Sequence, residues 1–330
     1  MVTSPARRPP STVAVVVALL TVYLVWGSTY LAIAVMIETM PPLLAAGVRY
    51  GSAGLIMLAG VVAFRRLRRS REPDERPTAA HWRSAAIIGT LLLLGGNGGV
   101  VLAELTIPSG MAAVLIATLP ISLAVLDAVI TRRRPSGLVI GGIVAGVVGV
   151  AVLLVPVEGL DALDPAGVAL ALGAELSWAI GSIYARHAPL PRSNLVATGM
   201  EMLAGGAALV IAGSLLGEIG RTDVSDFSVR SLLAISYLIV FGSIVAFTAY
   251  TWLLANVPVS TVGTYAYVNP IVAVALGAII LSEPITIRTL VATVLIIGAV
   301  VTMLSGRPRE PDEEPTPAEA VVEPEAARAR

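Results

Sequence analysis

Glu175, Trp178 and Ser182 stand at i, i+3 and i+7 in a stretch that is otherwise apolar, so on an α-helix they share one face. The glutamate lies near the middle of that stretch, with no arginine close by in sequence to balance it. If the stretch lies in a bilayer, an ionised side chain there costs roughly 2.5 kcal/mol or more on insertion scales, so the residue needs a role. A carboxyl group so placed can carry an exchangeable proton or hold a cationic group on a small molecule. Trp26 and Tyr30 repeat the pattern at i, i+4, Thr261, Tyr265 and Asn269 share a further face, and Asn97 and Glu104 another. Trp26, Tyr30, Asn97, Glu175, Trp178, Ser182, Thr261, Tyr265 and Asn269 are therefore the residues expected to line a binding cavity. The competing reading of the aromatic stripes is plain helix packing.

The elements that must position these groups are membrane spans. The chain is 56% hydrophobic and only 13% charged, with a mean hydropathy of +0.86, which excludes an ordinary water-soluble domain. Ten apolar runs are long enough to cross a bilayer, at 12–37, 42–64, 84–104, 109–131, 137–155, 166–185, 195–216, 230–254, 257–281 and 287–305. The first begins after Arg7 and Arg8 and imitates a secretory signal, but it is too long for a signal core.

These runs carry an internal echo. Pro108 and Pro120 recur as Pro258 and Pro270, Gly27-Ser28 with Tyr30 as Gly181-Ser182 with Tyr184, and Gly47, Arg49 and Gly54 as Gly199, Glu201 and Gly206. Five spans per half is an odd number, so the second half must enter the bilayer from the opposite side: an inverted repeat. The expected organisation is an inner tail (1–11), a first repeat (12–155), an outer connecting loop (156–165), a second repeat (166–305) and a disordered inner tail (306–330).

Orientation follows from arginine, because all 22 basic residues are arginine. With both termini inside, Arg7, Arg8, the cluster from Arg65 to Arg83, Arg132 to Arg134, Arg186, Arg192 and the arginines after Ser305 all lie on the inner side. Such a face should attract anionic lipid headgroups. Arg49 and Glu201 occupy equivalent repeat positions with opposite charge and are expected to pair with each other or across an interface, with contact to a charged solute as the alternative. Asp127, one turn before Arg132, is expected to neutralise the basic cluster, and Glu104 to be wet near the outer end of its span. Pro120 and Pro270 fall near the middle of spans four and nine, where each removes a backbone hydrogen bond; they mark a pair of bent gating helices, or ordinary kinks absorbed by packing. Gly137, Gly141, Ala145 and Gly149 form a small-residue stripe on span five that lets a neighbour approach, in the same chain or in a second subunit of a homodimer.

The exclusions are sharp. Without cysteine there is no disulfide, thiolate metal site or cysteine nucleophile. His81 and His187 read as surface residues of inner loops, and without lysine no Walker-type phosphate loop can form. Zero formal net charge, with arginine confined largely to loops, argues against a nucleic-acid partner. No metal, cofactor or catalytic residue is implied, and an intramembrane enzyme lacks the buried catalytic set it would need.

Trp26-Gly27-Ser28-Thr29-Tyr30, Pro41-Pro42, Ala46-Gly47-Val48-Arg49, Gly96-Asn97-Gly98, Pro108-Ser109-Gly110, Ser177-Trp178-Ala179, Glu201-Met202-Leu203-Ala204-Gly205 and Tyr265-Ala266-Tyr267-Val268-Asn269-Pro270 together resemble the EamA-type drug/metabolite transporter superfamily, in its YedA-like branch. The likeness runs over about 12–305. It implies an all-α integral membrane protein of ten transmembrane helices in two inverted five-helix repeats. It further implies a multi-pass protein of the plasma (cytoplasmic) membrane that works without ATP, usually as an exporter of small metabolites, amino acids or toxic compounds. Symmetry says nothing about direction, so a facilitator or importer stays open as the alternative, with a membrane sensor behind it.

Overall fold

Ser11 opens the first helix by accepting the Ala14 backbone N–H at 3.3 Å, the usual way a hydroxyl satisfies an orphan donor at a helix start. The computed structural model describes residues 11–67, 76–132, 136–154, 163–257, 259–262 and 264–305. The expected tail 306–330, all of the expected tail 1–11 but Ser11, most of the connecting loop, Pro258, and Arg68, Arg69, Arg71, Arg133 and Arg134 lie outside them.

The described chain is all helical: α1 (Thr12–Ile37), α2 (Pro42–Leu67), α3 (Ala79–Ala103), α4 (Ser109–Ile130), α5 (Gly137–Leu154), α6 (Pro165–Ala185), α7 (Asn194–Leu215), α8 (Val229–Leu253), α9 (Tyr265–Leu281) and α10 (Ile287–Ser305). Among the described residues seven helices are long and apolar enough to cross a membrane, namely α1, α2, α3, α4, α6, α7 and α8; the other three contain shorter apolar segments. Large apolar side chains face outward along the helices: Val13, Leu215, Ile279, Ile287 and Val294 are each at least 70% exposed. Such a surface suits lipid rather than water.

Packing partners are shared between the halves. α2 lies against α7, and α5 against α10; α1 packs on α8 and α9, while α6 packs on α3 and α4. The α2–α7 contact is made by glycine. A Cβ on Gly54 would stand 2.7 Å from the Gly199 carbonyl, and one on Gly206 would stand 2.6 Å from the Gly51 nitrogen, so only hydrogen side chains let these backbones meet. That contact also corrects the expected Arg49–Glu201 pair. Each charge stands two residues from a glycine of the contact (Gly47, Gly199), about 200° around its helix, so neither points across the α2–α7 seam.

Two segments widen. Thr90–Gly98 in α3 and Leu238–Val245 in α8 are π-helical, with the backbone N–H reaching the carbonyl five residues back. Two other helices are interrupted. α4 breaks at Ala117–Thr118, immediately before Pro120, whose missing N–H leaves the Ile116 carbonyl without its helical partner. Span nine, expected to run unbroken over 257–281, is a single turn at Val259–Val262 followed by α9 from Tyr265. There the Thr264 hydroxyl bonds the Thr261 carbonyl and meets the Tyr23 hydroxyl. α9 itself continues through Pro270.

Span three starts earlier than expected because Thr78 and His81 form a capping box (3.2 and 3.3 Å), which gives His81 a structural task. The α5 stripe also shifts. A Cβ on Gly137 or Gly141 would meet nothing within 4 Å, whereas Gly146 faces Ile121 of α4 and Ala299 of α10, and Gly149, which belongs to the expected stripe, faces α10. At Gly149 a Cβ would stand 2.7 Å from Ile296.

Candidate functional site

A cavity of about 120 Å³ lies among α1, α2, α3, α4, α6, α8 and α9. It is lined by Trp26, Thr29, Tyr30 and Ile33 from α1, Arg49 and Tyr50 from α2, and Gly96, Asn97 and Val100 from α3. α4 adds Ile116 and Leu119, α6 adds Ala174, Glu175 and Trp178, α8 adds Gly242 and Phe247, and α9 adds Tyr265 and Asn269.

The two tryptophans are seated alike. Trp26 donates its indole N–H to the Gly242 carbonyl at 3.3 Å, inside the widened segment of α8. Trp178 lies over Gly96 in the widened segment of α3, so closely that a Cβ there would be 2.9 Å from the ring. A π-helical stretch loosens the usual backbone ladder and offers carbonyls to side chains: Leu91 accepts from Ser177 at 2.7 Å, and Leu92 from Asn97 at 3.3 Å. Around Trp26 the rings of Phe247, Tyr250 and Tyr265 lie with centroids 5.5, 5.0 and 5.3 Å away, the Phe247 and Tyr265 rings edge-on as the ring quadrupole prefers.

Two opposite charges face the same space. Glu175 is 3% exposed; one carboxylate oxygen accepts from Ser122 at 2.8 Å, and the other is buried without a hydrogen-bond partner. Arg49 is 4% exposed, donates through Nε to Ser243 at 3.0 Å, and holds its guanidinium 4.5 Å from the Tyr50 ring centre. Among the described residues no carboxylate makes an ion pair with Arg49, and the Glu38–Arg230 pair at 3.5 Å is far more exposed.

Seven of the nine expected cavity residues thus come together: Trp26, Tyr30, Asn97, Glu175, Trp178, Tyr265 and Asn269. The Asn269 amide is assigned with its nitrogen toward the Tyr265 and Tyr23 carbonyls, at 3.3 and 3.2 Å, the orientation in which it can donate to both and tie α9 to α1. Ser182 is not in the lining, because one residue before it Gly181 closes α6 onto Leu91 and Leu92. Thr261 is also outside, because the break before Tyr265 interrupts the helical spacing that would have aligned it. Glu104 is not wet but 8% exposed, with both oxygens lacking a hydrogen-bond partner, at the last turn of α3. Asp127 is exposed on α4, and Glu201 is half-buried on α7 away from the lining. Pro120 and Pro270 are buried next to Leu119 and Asn269 of the lining. Sequence reasoning reaches Arg49 only through its alternative of contact with a charged solute, and misses Phe247 and Gly242, for which the Phe247/Tyr250 spacing was the available signal.

Comparison with known proteins agrees with this construction. The EamA-like transporter family matches residues 13–155 and again 165–305. The uncharacterized inner membrane transporter YedA of Escherichia coli K12 is 39% identical over 294 residues, covering 88% of this chain and 90% of that protein. The uncharacterized transporter YvbV of Bacillus subtilis 168 is 26% identical over 86% of this chain and 90% of its own length. A crystal structure of a further protein, 20% identical, superposes with a TM-score of 0.58 over 88% of this chain and 96% of that one, which speaks for the fold. The chain accordingly belongs to the EamA-like transporter family, and is a membrane transporter rather than an enzyme.

Proposed function

We propose that this protein exports small metabolites across the cytoplasmic membrane by alternating access, driven by a gradient rather than by ATP. The observation that carries the reading is a cavity lined by residues from both family-matched halves, with a buried carboxylate oxygen of Glu175 that has no hydrogen-bond partner. In this reading the ten helices all cross the bilayer, as two inverted five-helix repeats over 12–155 and 166–305. Support comes from packing partners that are preserved when the halves are exchanged, and from π-helical segments at corresponding places in α3 and α8. The arginine distribution favours both termini inside, and the name of the E. coli relative fits an inner-membrane location. α4 and α9 act as the gates, bending at Pro120 and Pro270. The partner-free oxygen of Glu175 is the place for a coupling proton or a cationic group of the solute.

The test is flux. Purified protein in liposomes preloaded with amino acids and organic cations should release one class selectively, faster under an imposed pH gradient, and Trp178→Ala should slow that release by about tenfold or more. Gradient-independent leakage equal to empty liposomes, from correctly inserted protein, would contradict the proposal.

A further inference from the structure

Resting on the reading of α4 and α9 as gates, we infer that Glu283 is a positioning residue of transport: its carboxylate, just past the end of α9, latches the start of α4 and holds the outer gate shut in the resting protein. The local chemistry begins with Pro108. Proline has no side-chain oxygen, so the first backbone N–H groups of α4 have no cap from their own chain neighbour. Glu283 supplies one from across the gate. One oxygen accepts the Ser109 N–H at 2.8 Å and the Ser109 hydroxyl at 2.7 Å, and the other accepts the Gly110 N–H at 3.1 Å. These are charge-assisted bonds at the positive end of a helix. The loop is shaped for this reach. α9 ends at Ser282 in the left-handed conformation (φ 57), the Glu283 N–H turns back to the Gly277 carbonyl at 3.1 Å, and a Cβ on Gly277 would collide with the carboxylate.

The latch is one-sided. α4 ends in the same left-handed conformation at Arg132 (φ 54), at the offset that relates Pro120 to Pro270. The residue after it is Arg133, outside the described residues, and a guanidinium has no acceptor for the N–H groups of a helix start. The inner end of span nine is tied instead by hydroxyls, Tyr23 to Thr264 and Thr264 to the Thr261 carbonyl, and neutral bonds are roughly half as strong as charge-assisted ones. Glu104 marks what the latch closes off. It lies within electrostatic range of Glu283 and of the lining residue Arg49, and both its oxygens are buried without a hydrogen-bond partner. That burial is costly, and separating α4 from α9 would admit water to it, so outer closure depends on the Glu283 bonds. Glu218 is the internal comparison. From the loop after α7 it accepts the Leu43 and Leu44 N–H groups at 3.1 and 2.8 Å, but it caps α2, which glycine contacts already fix to α7 and which is no gate.

The experiment reads the gate directly, apart from flux. The chain has no cysteine, so Leu105→Cys and Ile285→Cys, both about half exposed on either side of the latch, carry a pair of nitroxide labels on full-length protein in liposomes. Their distance distribution, measured by pulsed electron resonance, should be dominated by one short separation. Glu283→Ala should raise the ratio of separated to closed populations about fivefold or more, the scale of a lost hydrogen bond to a charged group. Glu283→Gln, which keeps the side chain's volume and one acceptor oxygen, should raise it less. Glu218→Ala should lower the melting temperature and leave the distribution unchanged, which a purely stabilising cap at Glu283 would do as well. A reference protein already mostly separated would overturn the latch without any variant at Glu283, and so would Glu283 variants whose distribution matches the reference or changes no more than that of Glu218→Ala. Flux in the same liposomes keeps the two readings apart. A gate that responds to Glu283 in protein that moves no solute would uphold the latch and overturn transport; solute flux with a gate indifferent to Glu283 would do the reverse.

Discussion

The wall where α1 meets α8 and the wall where α6 meets α3 share one construction and differ in their chemistry. In each, a tryptophan from the first helix of one half rests on a glycine in the π-helical segment of the third helix of the other half: Trp26 on Gly242, Trp178 on Gly96. Around Trp26 the space is filled by rings; beside Trp178 stand Asn97 and Glu175. The lesson is that the seat of each indole is scaffold common to both halves, whereas the residues one turn away are where the halves differ. A cavity with one aromatic and one acidic side can orient a cargo, which a symmetric cavity could not do.

Replacing the two tryptophans in turn is the harshest way to break this comparison. Trp26→Ala removes an indole hydrogen bond and contacts with three rings, and should destabilise the protein by ~3–5 kcal/mol. Trp178→Ala should cost about 1–2 kcal/mol less because no such ring cluster surrounds it. Thermal unfolding in detergent measures both, and equal losses would show that the ring cluster adds nothing.

The crossings behind the two walls differ next. α3 meets α7 through glycine, where a Cβ on Gly205 would stand 2.6 Å from the Gly89 carbonyl, whereas α8 meets α2 through the Ser243–Arg49 hydrogen bond. Gly205→Ala should therefore cost ~3 kcal/mol, since backbone cannot step aside as a side chain can. Ser243→Ala should cost ~1–2 kcal/mol for a bond to a charged group. The same unfolding measurement would refute the distinction if Gly205→Ala were tolerated. At the small end, Glu38→Gln breaks a half-exposed pair with Arg230 and should shift stability by less than ~1 kcal/mol; a larger loss would mean that this pair holds α1 to α8 in a way its exposure does not suggest.

Much of the cavity was legible before the structure, for a physical reason. Glu175 and Trp178, like Trp26 and Tyr30, sit in uninterrupted helix, where 3.6 residues per turn fixes which side chains share a face. Legibility failed where that period was broken or where the partner helix mattered. Thr261 lies beyond the break before Tyr265, and nothing in residues 90–98 or 238–245 announces a π-helical turn except the run Gly95-Gly96-Asn97-Gly98-Gly99. Sequence position gives Arg49 its depth, but its azimuth depends on which face the glycines deliver to α7, and that favours the alternative of facing the cavity over pairing with Glu201. The α5 stripe held only in part: small residues occur on two faces, and packing selects Gly149 of the expected set together with Gly146.

The central claim is that solute crosses through this cavity, opened in turn to each side. The chain contains no cysteine, so Val100→Cys places a single thiol in the lining at a small, buried aliphatic position. A membrane-impermeant maleimide applied to right-side-out and to inside-out vesicles should label this thiol from both sides, and a transported solute should slow labelling from each. Labelling from one side alone under every gradient, or labelling that no transported solute slows, would contradict alternating access through this site.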